Sequence, residues 1–397
     1  MRVALLTREY PPEIYGGAGV HVEYLSRELA RVVDVAVHCF GAPRESALVA
    51  GAYRPWEAIR SAAPHDAALG TLSVNLLMAA GVDGADVVHT HTWYANFGGH
   101  LAKLVHGIPH VVTTHSLEPR RPWKAEQLGG GYALSSFYER TALEAADAVI
   151  AVSSAMRDDV LACYPSIDPA RVVVVHNGVD TDEFRPDPGL GALSRLGIDP
   201  DRPSVVFVGR ITRQKGIEHL LAAAAAIDPA AQLVLFPSAP DTAEVGQEMR
   251  ARAAELAGSR GSVLWREEVI PRPDLIQVLT HATVFVCPSV YEPFGLVNVE
   301  AMACGTAVVA SAIGGVPEIV ADGETGLLVP FEAAVGGNPA DAGRFAADLA
   351  AAINQLLADP EAARAMGAAG RARVLERFSW PAIAARTVDV YRSVMSS

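Results

Sequence analysis

Short apolar runs alternate with longer amphipathic or alanine-rich stretches from the second residue onward. Consecutive Val, Ile and Leu residues indicate strands buried on both faces, and the stretches between them have the spacing and length of helices. This alternation is typical of a parallel sheet with helices on both sides. In the first half, strands are predicted at Val3–Thr7, Val33–Phe40, Val87–Thr90, His110–Thr114, Ala148–Val152 and Val172–Val175, and helices at Ala18–Arg31 and Tyr132–Ala145.

A segment rich in Pro, Gly and Asp, residues 181–203, interrupts the alternation and is predicted as a linker. The sequence therefore predicts an α/β fold with two Rossmann-like domains, residues 1–180 and 204–379, and three helices in the tail 341–397. Strands of the second half are predicted at Val205–Val208, Leu233–Phe236, Val284–Cys287 and Ala307–Ala310, with helices from about Lys215 and near Glu244–Leu256 and Leu296–Ala303.

The composition is that of a globular protein. Of the 397 residues, 50% are apolar and 19% are charged, which suits two cored domains and argues against disorder. No apolar run reaches the roughly 18–20 residues of a membrane span, and the first residues are predicted as a strand rather than a signal peptide, so a cytoplasmic protein is expected. The four cysteines are scattered and are expected to be packed thiols.

The acidic charge balance limits the partners. A formal net charge of −13, from 32 Lys and Arg against 45 Asp and Glu, opposes nonspecific binding to nucleic acid or to an anionic membrane. An anionic ligand must therefore meet local positive charge.

Two cations stand at element ends in the second half. Arg210 follows Gly209 at the end of a predicted strand, and Lys215 precedes Gly216 at the start of a helix. Ligands of open α/β sheets bind at the carboxyl ends of the strands, where helix N-termini point outward. Arg210 and Lys215 therefore form a candidate diphosphate site that needs no metal and stabilises charge on a leaving group. Surface cations in a loop are the alternative.

Two carboxylates, Glu292 and Glu300, stand eight positions apart in the second half of the chain. If both were helical they would lie about 12 Å apart at 1.5 Å per residue, but Pro293 indicates that only Glu300 is helical. Retaining hydrolases hold their carboxylates about 5 Å apart, so contacts to two ends of one elongated ligand are favoured over a nucleophile pair. A loop carboxylate and an exposed helix carboxylate are the alternative. Candidate phosphate contacts also come from backbone N–H groups of Phe294, Gly295 and Leu296.

The first half has a glycine-rich loop containing Gly16 and Gly17 between its first strand and first helix. Glycine lets the backbone approach a phosphate closely. A dinucleotide-binding fold would have G-x-G-x-x-G directly after the strand and an acidic residue ending the second strand. Here the third glycine is missing and the second strand ends in Phe40. A dehydrogenase is therefore disfavoured, and no cofactor is expected.

Three histidines, His89, His91 and His115, end or follow predicted strands at one sheet edge, and Trp93 nearby is a candidate sugar-stacking surface. A structural hydrogen-bonding role is the alternative for each histidine. No cysteine or carboxylate completes a ligand set with them, so no metal is expected. Turn and capping roles explain the two D-x-D triplets, at 180–182 and 199–201.

These motifs resemble those of retaining glycosyltransferases of family 4 (GT4), which have the GT-B fold of two Rossmann-like domains facing each other across a cleft. The resemblance covers nearly the whole chain and extends to the branch of actinobacterial glycogen synthases and α-maltose-1-phosphate synthases. It rests on Gly209-Arg210…Lys215-Gly216, Glu292-x7-Glu300 and the segments 8–12, 89–94, 115–119, 121–131 and 176–180.

The resemblance implies roles for the candidate residues. Arg210 and Lys215 would hold the donor diphosphate, Glu292 would contact hydroxyls of the transferred glucose, and Glu300 would bind the nucleotide ribose. His115 would lie near the transferred sugar. The implied catalytic residues are His115, Arg210, Lys215 and Glu292. The glycine loop would lie under the phosphates, and the last helix, 380–397, would cross back to pack on the first domain.

The implied function is that of a metal-independent, retaining hexosyltransferase for glycogen synthesis. Glucose would pass from ADP-glucose to glucose 1-phosphate and give α-maltose 1-phosphate. A glycogen synthase that elongates an α-glucan and a non-catalytic sugar-nucleotide sensor are the alternatives, and the oligomeric state, a homodimer included, is left open. The sensor is disfavoured because all four donor residues are present.

The acceptor is expected to bind on the first domain. A basic segment there would hold an acceptor phosphate, although a solvated basic loop or contacts to Glu118 and Glu126 are the alternative. The expected acceptor-binding residues are Tyr10, His89, His91, Trp93, Arg120, Arg121 and Lys124.

Overall fold

The computed structural model describes residues 1–59, 65–334 and 336–396, with residues 126 and 127 described by their backbone only. Contacts divide the chain into two compact units. Unit 1 comprises Met1–Gly178 and the residues from Trp380 onward, and unit 2 comprises Val179–Ser379.

A parallel sheet forms the centre of unit 1. Its strands are β1 (Arg2–Thr7), β2 (Asp34–Phe40), β3 (Val49–Tyr53), β4 (Val87–His91), β5 (His110–Thr114), β6 (Ala148–Ala151) and β7 (Val172–Val174). Within the described residues their order is β3-β2-β1-β4-β5-β6-β7. All strands are parallel, but successive strands are added to one side of β1 up to β3 and to the other side from β4 onward. Such a switch point opens a crevice at the carboxyl ends of the strands.

The helices of unit 1 pack on this sheet or on one another through their apolar faces. They are α1 (Gly17–Leu29), α2 (Asp66–Gly81), α3 (Trp93–His106), α4 (Lys124–Leu128), α5 (Gly131–Ala145), α6 (Ser154–Cys163) and, from the end of the chain, α15 (Trp380–Met395). Strands β4 and β5 are buried along their whole length, although β4 reads Val-Val-His-Thr-His. The polar side chains of the central strands are therefore enclosed in the protein.

Unit 2 repeats this architecture. Its strands are β8 (Ser204–Arg210), β9 (Gln232–Ser238), β10 (Val263–Trp265), β11 (Val284–Cys287), β12 (Val308–Ser311) and β13 (Gly326–Val329). They pair in parallel in the order β10-β9-β8-β11-β12-β13, so the order reverses between β8 and β11. Its helices are α7 (Gly191–Leu196), α8 (Ile217–Ala223), α9 (Ala243–Arg260), α10 (Arg272–His281), α11 (Leu296–Ala303), α12 (Val316–Ile319), α13 (Ala342–Ala358) and α14 (Pro360–Arg377).

The Pro- and Gly-rich segment 181–203 is grouped with unit 2 rather than standing between the units. It contains α7, and the Gln277 side chain of α10 accepts a hydrogen bond from the Ala192 N–H at 2.8 Å. Turn residues in this segment therefore shape a packed connection instead of a free linker.

The last helix, α15, belongs to unit 1 and packs on α1. Trp380 stacks on Tyr24 with ring centroids 5.9 Å apart. A Cβ atom at Gly178 would lie 2.7 Å from the Trp380 ring, so a glycine is required where the indole covers the chain. The expected return of this helix to the first domain is confirmed.

Among the described residues, no helix combines the length and apolar character of a membrane span.

Candidate active site

The end of β8 and the turn after it place the two expected cations of unit 2. The Thr212 hydroxyl caps this turn by accepting a hydrogen bond from the Lys215 N–H at 3.2 Å. Gly216 follows with a φ of 62°, and a Cβ atom there would lie 1.9 Å from the Pro288 carbonyl oxygen. Only glycine allows this close approach, which brings Lys215 against the loop after β11.

Lys215 and Glu292 form an ion pair in that position. The Lys215 ammonium lies 2.6 Å from Glu292 Oε2, and the Ser289 hydroxyl donates a hydrogen bond of 3.0 Å to the same oxygen. Burial is the largest single effect and lowers the pKa of Lys215, but the charges of Glu292 and Cys287 and the hydrogen bond to Glu292 together leave that pKa raised. The ammonium is therefore charged through the neutral range and held in one place by a buried partner.

Arg210, the last residue of β8, faces a second carboxylate. Its guanidinium lies 3.7 Å from Asp241 Oδ1, in the loop after β9. Arg210 and Lys215 therefore lie at the carboxyl end of β8 and in the turn after it, each beside an acidic group. This is the arrangement expected of preorganised cations for a bound anion.

Helix α11 begins at Leu296, so Glu300 is helical and Glu292 lies in the preceding loop, as predicted from Pro293. Gly295 caps this helix with a φ of 108°. Burial raises the pKa of Glu300 to about 7, and the Arg272 guanidinium opposes this shift. Near neutral pH the Glu300 carboxyl is thus close to half ionised.

The side chain of Phe294 is buried, and the predicted phosphate contact of its backbone N–H group stays a prediction. Its ring meets the edge of Phe378 with centroids 5.9 Å apart, which anchors the loop before α11. Asn298 on the same helix is fully buried, and its amide atoms have no hydrogen-bond partner within the described part of the chain. Sequence reasoning missed Asn298 and Ser289, because neither belongs to the spacing that singles out the two glutamates.

In unit 1 the glycine loop is held by Glu9, which sequence reasoning also missed. Glu9 Oε2 accepts hydrogen bonds of 2.7 Å from the N–H groups of Tyr15 and Gly16, and Gly17 then begins α1. The Gly16 N–H group predicted to approach a phosphate is therefore bound to a carboxylate in this structure.

Three histidines meet at the carboxyl ends of β4 and β5. His91 Nδ1 lies 3.1 Å from His115 Nε2, and His21 on α1 packs against both rings with centroids 5.3 Å and 4.7 Å away. Burial lowers the pKa of His21 to about 4, so its imidazole is neutral. These rings offer nitrogens within 4.8 Å of one another, the one group of metal-ligand type among the described residues. His91 Nδ1 and His115 Nε2 share a hydrogen bond, whereas His91 Nε2 is buried with no hydrogen-bond partner among the described residues.

Two expected acceptor residues lie in the core. His89 is fully buried, with hydrogen bonds of 2.7 Å to the hydroxyls of Tyr391 and Thr113. Tyr10 is also buried, and its hydroxyl lies 3.0 Å from Ser26 Oγ. Both side chains are enclosed and make these hydrogen bonds inside unit 1, and their roles as acceptor contacts stay a prediction.

Trp93 stands at the start of α3 after a strained turn. Thr92 has a φ of 64°, which is rare for a β-branched residue and is typical of functional turns. Trp93 is buried and stacks on Tyr94 with centroids 3.8 Å apart. The guanidinium of Arg8, at the end of β1, lies 4.0 Å from the Tyr94 ring centroid. Tyr94 rather than Trp93 is thus the more accessible aromatic surface.

The basic segment of unit 1 is largely neutralised. Arg120 pairs with Asp159 at 2.7 Å, and Arg121 pairs with the buried carboxylate of Glu118. Lys124 begins α4 and is half-buried. The ion pair of Arg121 with Glu118 matches the alternative in which this segment contacts nearby carboxylates. Because Arg120 is also paired, the two arginines do not present unpaired charges side by side.

Comparison with known proteins identifies the family. The model described as Glycosyltransferase Family 4 matches residues 15–183, and the model described as Glycosyl transferases group 1 matches residues 193–373. The chain is 56% identical over 397 residues to α-maltose-1-phosphate synthase from Mycolicibacterium smegmatis, with 99% of this chain and 100% of that protein covered.

Solved structures show the same architecture. Sucrose-phosphate synthase from Thermosynechococcus elongatus has a TM-score of 0.77 and 30% identity, covering 100% of this chain and 99% of that one. Anabaena HepE in complex with UDP and glucose has a TM-score of 0.78 at 22% identity, covering 99% and 100%, which shows the fold alone. With two Rossmann-like units, glycosyltransferase models on both halves and a full-length relative, the chain belongs to the family 4 glycosyltransferases.

Proposed function

We propose that the protein is an α-maltose-1-phosphate synthase, which transfers glucose from ADP-glucose to glucose 1-phosphate with retention of configuration. The observation that carries this proposal is the ion-paired Lys215–Glu292 arrangement beside Arg210, within a chain 56% identical to a relative of that name. The product, α-maltose 1-phosphate, would serve the synthesis of an α-glucan.

The cations of unit 2 suit the donor. A diphosphate that leaves the sugar gains negative charge, and Arg210 and Lys215 would neutralise it without moving. The pKa of Lys215 is raised beside Glu292, so the ammonium is charged when the donor arrives. Glu292 would also accept hydrogen bonds from glucose hydroxyls, and Glu300 from the ribose hydroxyls.

The proposed transfer balances without a cofactor. The acceptor hydroxyl oxygen bonds to C1 of the glucosyl group on the face from which the C1–O bond to the diphosphate breaks. The hydroxyl proton passes to a phosphate oxygen of the departing ADP. Burial holds the pKa of His115 well below its ordinary value, so its imidazole is neutral. His115 would contact the transferred sugar as a neutral group.

A donor and acceptor screen tests the proposal. Purified protein is incubated with ADP-glucose or UDP-glucose and with glucose 1-phosphate, maltose or glycogen, and the products are identified by ³¹P NMR and mass spectrometry. We expect α-maltose 1-phosphate from ADP-glucose and glucose 1-phosphate as the fastest reaction. A higher initial rate with glycogen would reject the acceptor, and no turnover with any pair would support a non-catalytic sensor.

A further inference from the structure

Arg8 is an exposed cation at the switch point of the unit 1 sheet. It follows the end of β1, and its guanidinium lies 4.0 Å from the centroid of the Tyr94 ring. No salt bridge joins Arg8 to another residue in the described part of the chain, in contrast to the arginines of the basic segment. Its charge is therefore available to an anion.

The nearest carboxylate along the chain is engaged elsewhere. Glu9, which follows Arg8 directly, accepts hydrogen bonds from the N–H groups of Tyr15 and Gly16 through Oε2. Those two amides direct the Glu9 carboxylate into the glycine loop. The positive charge of Arg8 is thus not cancelled by an ion pair with its neighbour.

Tyr94 gives the guanidinium a platform and adds a hydrogen-bond donor. A guanidinium above an aromatic face is stabilised by the ring, while its edge N–H groups stay free for bidentate contacts to phosphate. Burial raises the pKa of the Tyr94 phenol, and the nearby Arg8 charge opposes this shift. The phenol is protonated at neutral pH and so can donate a hydrogen bond.

The position of this pair matches the side of unit 1 where an acceptor is expected. Arg8 follows β1, Tyr94 follows β4, and His115 follows β5, so all three lie at the carboxyl ends of adjacent strands. His115 is proposed to contact the transferred sugar. A phosphate on the acceptor would then meet Arg8 rather than Arg120 or Arg121, whose charges are already paired.

We infer that Arg8 and Tyr94 form the binding site for the phosphate group of a phosphorylated sugar acceptor. This inference rests on the proposed transfer to glucose 1-phosphate and names the residues that select that acceptor over a neutral one. A charge-assisted contact of this kind is worth roughly 10–100-fold in affinity.

Steady-state kinetics of Arg8→Gln, Arg8→Lys and wild type test the site, with glucose 1-phosphate and maltose as acceptors at saturating ADP-glucose. We expect Arg8→Gln to raise the KM for glucose 1-phosphate by about 10–100-fold, with the KM for ADP-glucose and the rate with maltose within about twofold of wild type. Arg8→Lys should recover part of the loss, because the charge is kept but the planar fork is not.

Arg31→Ala, which removes an exposed arginine paired with Glu28 elsewhere in unit 1, is the matched control and should behave as wild type. An unchanged KM for glucose 1-phosphate in Arg8→Gln would overturn the inference. Equal losses with glucose 1-phosphate and maltose would also overturn it, since a phosphate site cannot affect a neutral acceptor.

Calorimetry with glucose 1-phosphate alone separates this inference from the proposed function. If wild type makes no α-maltose 1-phosphate, the proposed function fails, whereas binding that is present in wild type and lost in Arg8→Gln still supports the phosphate site. Binding that is equally strong in both proteins rejects it.

Discussion

At the scale of single residues, the chemistry of unit 2 depends on contacts across long sequence distances. The pattern of Arg210, Lys215, Glu292 and Glu300 could be predicted because strand ends and helix starts mark it in the sequence. The ion pair of Lys215 with Glu292 could not, since it joins residues 77 positions apart. Likewise, no local signal in the sequence shows that Glu9 accepts hydrogen bonds from the N–H groups of the glycine loop. A carboxylate after a strand has many competing partners.

Removing either cation should lower turnover while the fold stays intact. Loss of one preorganised donor to developing charge costs about 3–4 kcal/mol, so Lys215→Ala and Arg210→Ala should each reduce kcat by about 10²–10³-fold. Initial rates with ADP-glucose and circular dichroism measure the two effects. Wild-type rates in both variants would reject the diphosphate assignment, and Arg213→Ala in the same turn provides the control.

Ser289 should act by positioning Glu292. Its hydroxyl donates to the carboxylate oxygen that also pairs with Lys215, so Ser289→Ala loses one hydrogen bond to a charged group, worth about 1.5–3 kcal/mol. We expect kcat to fall by about tenfold or more, with Ser289→Thr restoring most of it because the hydroxyl is kept. If Ser289→Thr is as impaired as Ser289→Ala, packing rather than the hydrogen bond is responsible.

At the scale of secondary-structure elements, the apolar runs predict most central strands and the edge strand β7, but they do not predict the edge strands β3, β10 and β13. Strands β5 and β11 and helix α11 have the predicted bounds, because an uninterrupted buried face specifies each. Strand β3 was not predicted, since it is half-exposed and reads Val-Ala-Gly-Ala-Tyr. Strand β10 has three residues and shows no alternation long enough to detect.

Helix α5 carries a buried acid that packs against the turn after β5. Glu139 Oε1 accepts hydrogen bonds from the Glu118 N–H at 2.8 Å and from the Tyr164 hydroxyl at 2.6 Å. Burial, and then the charge of Glu118, raise the pKa of Glu139 to about 8. Glu139 is therefore protonated at neutral pH and holds this turn as a neutral group.

Glu139 should make the stability of the protein depend on pH. The folded state keeps this proton up to about pH 8, whereas the unfolded chain loses it from about pH 4.5, so the free energy of unfolding falls as pH rises through that window. Glu139→Gln cannot titrate and should show a flatter dependence, by up to about 1.4 kcal/mol per pH unit. Melting temperatures from pH 5 to 9 test this, with Glu144→Gln on the same helix as control. An equal slope in Glu139→Gln and wild type would contradict it.

At the scale of the whole molecule, two similar parallel sheets were predictable because the strand and helix alternation occurs twice. The place where one unit ends was harder to locate, since the Pro- and Gly-rich segment 181–203 packs with unit 2 through α7. The chain as a whole carries a formal net charge of −13. Anionic substrates must therefore be attracted by a few local cations, which are Arg210 and Lys215 in unit 2 and, by our inference, Arg8 in unit 1.

This distribution of charge predicts that glucosyl transfer does not require a divalent metal. By our proposal, Arg210 and Lys215 would take the place that Mg²⁺ or Mn²⁺ fills on a sugar nucleotide, and the raised pKa of Lys215 keeps its ammonium charged. Activity with ADP-glucose and glucose 1-phosphate should therefore stay within about twofold of its starting value after extended dialysis against EDTA. Adding Mg²⁺ should not raise it. Loss of activity on chelation that Mg²⁺ or Mn²⁺ restores would show that the two cations are insufficient and that the acidic D-x-D triplets need a new assignment.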